Sequence, residues 1–295
     1  MAAQSNTLES SINELPMLPT VLVRLLAADV SSDSFFDEVL RLGNEDPTLA
    51  VKLIQLSNSS LSAPRNPIIT PEQAVIRIGT RQIANMLLVM SVIKVFVPSS
   101  KGQQNLWRHA IETAVIARQI ARRDKNYGID PEAAYLAGLL HDIGRFLLYA
   151  TNTEALSKID ETNWETMGEL AEAERRLLGY DHTQAGLKAC QKWGLSLLVS
   201  GVVRLHHEYT SVEKRTKDPI LLKMLPIVQM ADSLSVLMLQ HKNLLDLENS
   251  ILLKVVSEQC IHPQWSNPPL DPKELCTLLP ALVHESAAVC KDLGL

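Results

Sequence analysis

Seven side chains of this 295-residue sequence are of the types that hold metal ions through nitrogen and oxygen: His109, His141, Asp142, His182, His206, His207 and Asp232. His141 and Asp142 stand side by side in AGLLHDIGR, at the end of an apolar run that belongs in a core. An unpartnered neutral polar group there would cost about 1–3 kcal/mol and a charge more, so both need a hydrogen bond or an ion. Asp232 is the sole acid in LPIVQMADSLSVLML, and His206-His207 close VVRLHH. Neutral imidazoles with carboxylates suit Fe, Mn, Zn or Co, and they exclude a thiolate site or an all-oxygen calcium site. One ion rarely takes so many protein ligands. If the seven converge, two ions follow, and a carboxylate such as Asp142 could bridge them at about 3.5–4 Å.

Each residue also has a plainer reading. A single histidine such as His109 on an apolar helix face can be a hydrogen-bonded core residue, and Asp232 can be a helix cap or face solvent. Asp181 reads as the cap of the helix that follows it. His241, His262 and His284 lack supporting spacing and read as surface or cap residues.

The elements that would position these groups are helical, and no alternating run is long enough for a sheet. One start signal recurs, a capping residue followed by proline at the first helical position: Asp46-Pro47, Thr70-Pro71, Asp130-Pro131 and Asp271-Pro272. Thr70 with Gln73 adds a capping box. Gly79 ends that helix and Thr80 opens the next. Further helices are read at 106–123, 165–178, 183–193, 197–207, 219–241, 251–259 and from 272 to about 291, the last kinked by Pro280. The fold class is all-α. The stretch VPSSKGQQ divides it, giving an N-terminal helical lobe (1–98), a second helical lobe (99–240) and a C-terminal extension (241–295).

The formal charge of -5 argues against a general nucleic-acid binder, which is usually basic. The basic clusters at 118–125 and 214–217 read as solvated helix ends. The four cysteines form no CxxC pair and read as reduced, mostly buried thiols. The N-terminus lacks a signal-peptide pattern, and the apolar run 86–97 is too short for a membrane span, so a cytoplasmic, membrane-free location is expected.

The order H…HD…H…HH…D from His109 to Asp232 resembles the HD superfamily of metal-dependent phosphohydrolases. The chain is more closely similar to the HDOD (HD-related output domain) family of bacterial signalling. The segments that carry this are LPMLPTVLVRLL, NEDPTLAVKLIQLSNSS, ITPEQAVIRIGTRQIANMLL, LWRHAIETAVIA, YLAGLLHDIGR and LGYDHTQAGLKACQKWGL. The resemblance implies an all-helical fold whose second lobe is an HD-like bundle. It also implies a regulatory role, with a signalling protein or a nucleotide-like ligand as partner. Metal ligands would be His109, His141, Asp142, His182, His206, His207 and Asp232, holding two divalent or mixed-valence ions, iron first, with manganese or zinc as substitutes. Many HDOD members are thought to have lost catalysis, whereas here every HD ligand position is filled. The alternative is therefore a phosphodiesterase-type phosphohydrolase using a two-metal-activated hydroxide, with Asp142 and Arg145 as catalytic residues. Arg145 stands where related enzymes place a phosphate-facing lysine, and its planar fork is no like-for-like replacement. Asn105 replaces the glutamate of trinuclear relatives, and HHEYTSVEKRT replaces the glycine-tyrosine-proline loop of cyclic di-GMP phosphodiesterases. Both departures argue against a third metal and against that substrate. A metal-free helical scaffold, its histidines hydrogen-bonded in the core, is the third reading. Asn58 and Ser59 read as a polar helix ending.

Overall fold

The computed structural model describes residues 8, 24–25, 34–45, 47–58, 67–124, 128–161, 167–241 and 243–295. Among these residues the protein is all-α, without strands. The N-terminal helices are α1 (Ser34–Glu45), α2 (Pro47–Ser57), α3 (Pro71–Ile78) and α4 (Thr80–Val95). Their buried residues, among them Phe35, Val39, Leu42, Leu53, Val75 and Ile83, form one apolar cluster.

Thr70 caps α3 by accepting from the Gln73 amide, but the Gln73 side chain accepts from Ile69 N–H rather than closing the expected box on Thr70. Gly79, at φ 104°, ends α3 and leads directly into α4, as its position predicts. Asp46 lies outside the described residues, as does Ser59. Asn58 pins the end of α2, donating to Ile54 and Ile68 carbonyls and accepting from Ile68 N–H.

Helix α4 is apolar nearly all round, and such a helix must be covered on more than one side. Ile83, Leu87 and Met90 join the N-terminal cluster, while Leu88, Val89 and Val92 join a second, larger one. That larger core gathers α5 (Lys101–Arg123), α6 (Pro131–Leu140), α7 (Ile143–Asp160), α8 (Met167–Leu178), α9 (His182–Trp193) and α10 (Leu197–Leu205). The short α11 (Val212–Arg215) and long α12 (Pro219–Gln240) follow, then α13 (Asn249–Cys260) and α14 (Pro272–Leu293). Helix α5 starts earlier than periodicity predicts because Ser100 and Gln103 make a complete capping box inside the polar joint.

The sequence left the C-terminal extension unassigned, and the structure packs it onto the second core through Leu252, Val256, Leu275, Leu279 and Leu282. Arg118 donates to Glu285 at 2.6 Å and lies over the Tyr135 ring at 4.8 Å. It is therefore no solvated helix end: Glu285 and Glu132 neutralise it inside the α5–α6–α14 junction. Lys214, Arg215 and Lys217 are exposed, as read. Pro280 leaves α14 unbroken from Pro272 to Leu293. The four cysteines are free, Cys190 and Cys260 buried, Cys276 and Cys290 half-buried. Helix α12 is long and apolar enough to cross a membrane, but 67% of its apolar stretch is buried inside this bundle, which marks it as a core helix.

Candidate metal centre

The run YLAGLLHDIGR is not one helix. His141 closes α6 and Asp142 opens α7 with φ -101° and ψ 20°, so the pair sits at a break between helices. Two consecutive side chains on a continuous helix diverge by about 100° and could not easily share a centre. The break relaxes that constraint.

Gly144 makes a second contribution, because a Cβ there would lie 1.8 Å from the His182 carbonyl oxygen. Without a side chain at that position, α7 approaches the start of α9 and Asp142 reaches His182. Asp181 caps α9 in a full box with Gln184, as its place before the helix predicts, and His182 is the first helical residue. His206 ends α10, with His207 just beyond it. Asp232 is neither a cap nor solvent-facing: it lies within α12 and is 1% exposed.

All seven side chains converge. One group consists of Asp142, His182, His206 and His207, the other of His109, His141 and Asp232, with donor atoms within 4.8 Å of one another in each. The Asp142 carboxylate stands between them. Its Oδ1 lies 3.4 Å from Nε2 of both His182 and His206. Its Oδ2 lies 3.8 and 3.9 Å from Nε2 of His141 and His109.

The imidazole tautomers are set from outside. His141 Nδ1–H donates to the Gly138 carbonyl at 2.7 Å, and His206 Nδ1–H to the Val203 carbonyl at 3.0 Å. Glu174, wholly buried, accepts from His182 Nδ1 at 2.5 Å. Ser235 donates its hydroxyl proton to Glu112 at 2.8 Å, so its oxygen accepts from His109 Nδ1–H at 2.9 Å. In neutral rings each of these four bonds leaves Nε2 as a bare lone pair. Those lone pairs meet at close range. Nε2 of His109 is 3.2 Å from Nε2 of His141 and 3.2 Å from Asp232 Oδ1. Nε2 of His182 is 3.0 Å from that of His207. Asp142 Oδ1, His206 Nε2, His207 Nδ1 and both Asp232 oxygens are buried without a hydrogen bond. Crowded donor atoms pointing inward, with outer partners fixing four of the five rings, suit a cation site. The donor set fits Fe, Mn or Zn.

The electrostatics favour ionised acids and neutral His141 and His207, whereas His182 and His109 are drawn toward the charged form; for His109, burial opposes the charge and Asp232 outweighs it. Burial opposes ionisation of Asp142, yet His141, His182 and His206 hold its pKa well below 3.8. Burial likewise opposes ionisation of Asp232, and His109 and His141 outweigh it. Burial lowers His141 to about 4 and, reinforced by His206 and His182, pushes His207 well below 6.5. His182 is carried the other way, to about 9, because Glu174 and Asp142 overcome its burial.

Arg145 lies behind the centre rather than in it. Its Nη2 donates to Asp160 at 2.6 Å and its Nε is 3.3 Å from Glu174, which in turn holds His182. Tyr149 donates to the other Asp160 oxygen. Burial opposes the charge on Arg145, but Glu174 and Asp160 raise its pKa above the ordinary arginine value. Glu174, Ser235, Glu112 and Asp160 were not legible as site residues in the sequence. Two of them had a trace: Glu112 follows His109, and Ser235 follows Asp232, by three residues on one helix face.

A cavity of about 920 Å³ opens onto the centre at His109 and Asp142 and has Arg145 in its wall. His241 lines it as the cap of α12, His284 is exposed, and His262 stacks on Tyr209 at 4.8 Å; none of the three joins the cluster.

An all-helical bundle with histidines and aspartates in the order H, HD, H, HH, D on a shared interior point defines an HD-type helical domain. The chain belongs to the HDOD domain family, whose pattern it matches over residues 15–209. Among solved structures it is similar to an HDOD domain protein of unknown function from Geobacter sulfurreducens, with 25% identity, 97% of this chain and 95% of that one covered, and a TM-score of 0.73. A candidate phosphohydrolase from Shewanella amazonensis shares the fold at 23% identity, covering 98% and 99% of the two chains with a TM-score of 0.72. A candidate signal transduction protein from Marinobacter aquaeolei does so at 19% identity, covering 100% and 62%, with a TM-score of 0.71. A curated relative, an uncharacterized protein of Treponema pallidum, is 24% identical over 196 residues, which are 66% of this chain and 38% of that longer protein.

Proposed function

We propose that this chain is a bacterial, cytoplasmic regulatory HDOD protein whose seven convergent side chains hold a dinuclear metal centre. The observation that carries this is the Asp142 carboxylate, with one oxygen turned to each ligand group and its Oδ1 buried without a hydrogen bond. His109, His141 and Asp232 would hold one ion, His182, His206 and His207 the other, and Asp142 would be shared. Iron is the first choice and manganese or zinc the substitutes, because imidazole and carboxylate suit all three and supply decides among them. The partner is a signalling protein or a nucleotide-like ligand, with no general nucleic-acid binding and no membrane. Residues 1–98, 99–240 and 241–295 are taken as lobe, metal lobe and extension.

Elemental analysis of the chain purified without added metal tests the centre, with about two equivalents of transition metal expected per chain. Substoichiometric metal that no reloading raises would reject it.

The cavity favours a second reading, metal-dependent phosphoester hydrolysis, since it brings solvent to His109 and Asp142. Bound ions would supply Lewis acidity and an activated water. The chain's own part would be to hold Asp142 ionised at the junction of the two groups. Arg145 would steady a phosphoryl oxygen with guanidinium donors that Asp160 and Glu174 leave over, since the group has five. Hydrolysis of bis(p-nitrophenyl) phosphate by metal-loaded protein, lost in Asp142→Ala, is the expected result. Equal inertness of wild type and variant would leave the regulatory reading alone.

A further inference from the structure

Four of the five imidazoles at the centre take their orientation from an outer hydrogen bond, and His207 does not. Its Nδ1 is buried without a partner, 4.0 Å from Asp232 Oδ2, while its Nε2 lies 3.0 Å from that of His182. A ring with no outer partner must be held by the chain that carries it. Helix α10 has closed by then, and the segment after His207 is tied to α12 at two points on either side of Asp232. Gln229, 1% exposed inside that apolar helix, donates through Nε2 to the Glu208 carbonyl at 2.9 Å. One turn further along, Ser233 pairs with the Tyr209 hydroxyl. The other side of Tyr209 is closed by the C-terminal extension. The His262 ring stacks on it at 4.8 Å with an interplanar angle of 17°, and Trp265 completes the cluster at 6.3 Å from Tyr209 and 6.1 Å from His262. The turn that bears these rings is itself ordered, between the buried anchors Cys260 and Leu270. In it, Trp265 N–H donates to the His262 carbonyl at 3.0 Å and Gln264 N–H to His262 Nδ1 at 3.3 Å. Gln229, Ser233, His262 and Trp265 all lie beyond the residues that match the family.

We propose that Tyr209, clamped between α12 and the His262–Trp265 turn, is the positioning residue for His207, supplying through backbone and stacking what outer hydrogen bonds supply to the other four rings. The extension thereby completes the ligand group of Asp142, His182, His206 and His207. It leaves the group of His109, His141 and Asp232 to its own supports. This rests on the metal-centre reading for what His207 holds, while the clamp stands on geometry alone.

Calorimetric titration of the metal-stripped full chain with zinc tests it, because two binding steps can be followed without redox change. His262→Ala should weaken one step about tenfold, the lower end of what losing an outer support costs, and leave the other within about twofold. His262→Phe keeps a ring face on Tyr209 and should restore wild-type binding. Trp265→Leu leaves the stacked pair but removes its backing, and should weaken the same step about threefold. In the metal-free chain, the ring resonances of His207 should broaden in His262→Ala while those of His141 stay as in wild type, a selectivity that general loosening of the bundle would not produce. Equal zinc affinities in wild type and His262→Ala, a loss that His262→Phe does not restore, or a loss spread over both steps would overturn the clamp and leave the centre standing. A folded wild type that takes up neither zinc nor ferrous iron would overturn both. Should thermal melting show His262→Ala to be unfolded, Trp265→Leu decides by the same criteria.

Discussion

Glu174 and Ser235 occupy equivalent places in the two halves of the centre, each fixing one imidazole through Nδ1, but they do it with different chemistry. Behind His182 stands a fully buried carboxylate that continues through Arg145 and Asp160 to Tyr149. Behind His109 stands a hydroxyl, relayed through Glu112 to the half-exposed Arg108. His182, His206 and His207 do not touch the cavity, whereas His109 lines it. The cavity thus reaches an imidazole only in the half with the neutral support, while the other half meets solvent at the edge of His207, whose side chain is 12% exposed. On the dinuclear reading, the half with the charged support holds its ion firmly and the other offers an ion whose coordination can change.

Asp142→Ala is the largest break in this comparison because it removes the oxygens facing both halves. Metal content should fall at least about tenfold, and the melting temperature should drop by several degrees, since a bound ion stabilises the fold by mass action. The melting temperature of chelator-treated wild type should fall toward that of the variant. Retention of one full equivalent in the variant would mean that the carboxylate is not shared.

The pH dependence should separate metal-free from metal-loaded protein. His182 has a folded pKa of about 9 against 6.5 unfolded, set by Glu174 and Asp142 against burial. A raised folded pKa gives stability that is fully present below 6.5 and is lost as pH rises toward 9. The metal-free chain should therefore melt at lower temperature at pH 9 than at pH 6.5. The loaded chain should run the other way, because coordination needs the deprotonated ring and protons compete less at high pH. Parallel melting curves for the two forms would show that His182 is not a ligand.

Most helices, though not α1, α7 or α11, and the seven candidate side chains could be read from the chain because they depend on local signals: caps, prolines, apolar periodicity, and polar residues inside apolar runs. Their meeting point was implied by the family resemblance alone and by no local signal. It depends on the break between His141 and Asp142 and on the close approach at Gly144, neither of which leaves a mark in hydropathy. The outer supports were hidden for a related reason. Glu174 looks like one more charge in GELAEAERRLL, and only the packing of α8 shows it to be the acid that must be buried. The C-terminal extension was ambiguous because its apolar faces suit several partners, and the Glu285–Arg118 pair that settles its place joins residues 167 positions apart.

Glu174→Gln keeps the shape but removes the charge behind His182. Removing such an outer partner typically costs about 10–100-fold in metal affinity, and the loss should fall on one ion of the two. It should also flatten the pH dependence of the metal-free chain, since Glu174 is the first cause raising the His182 pKa. Loss of both ions would tie the halves together more tightly than their separate supports suggest.

Ser235→Ala should have the smallest effect and is the sharpest test of the asymmetry. The variant strands His109 Nδ1–H and one Glu112 oxygen in a buried space, at a cost of about 1–3 kcal/mol if nothing moves in. A water taking the place of the hydroxyl would restore part of that, so the expected loss is about threefold to tenfold in affinity for one ion. At a pH high enough to leave the ring neutral, since Asp232 raises its pKa against burial, the ¹⁵N shifts of His109 in the metal-free chain should show a mixture of tautomers where wild type shows one, because the hydroxyl no longer selects Nδ1–H. A Ser235→Ala loss as large as that of Glu174→Gln would mean that the neutral relay holds its ring as firmly as the carboxylate does. The open half would then have no claim to a more changeable ion.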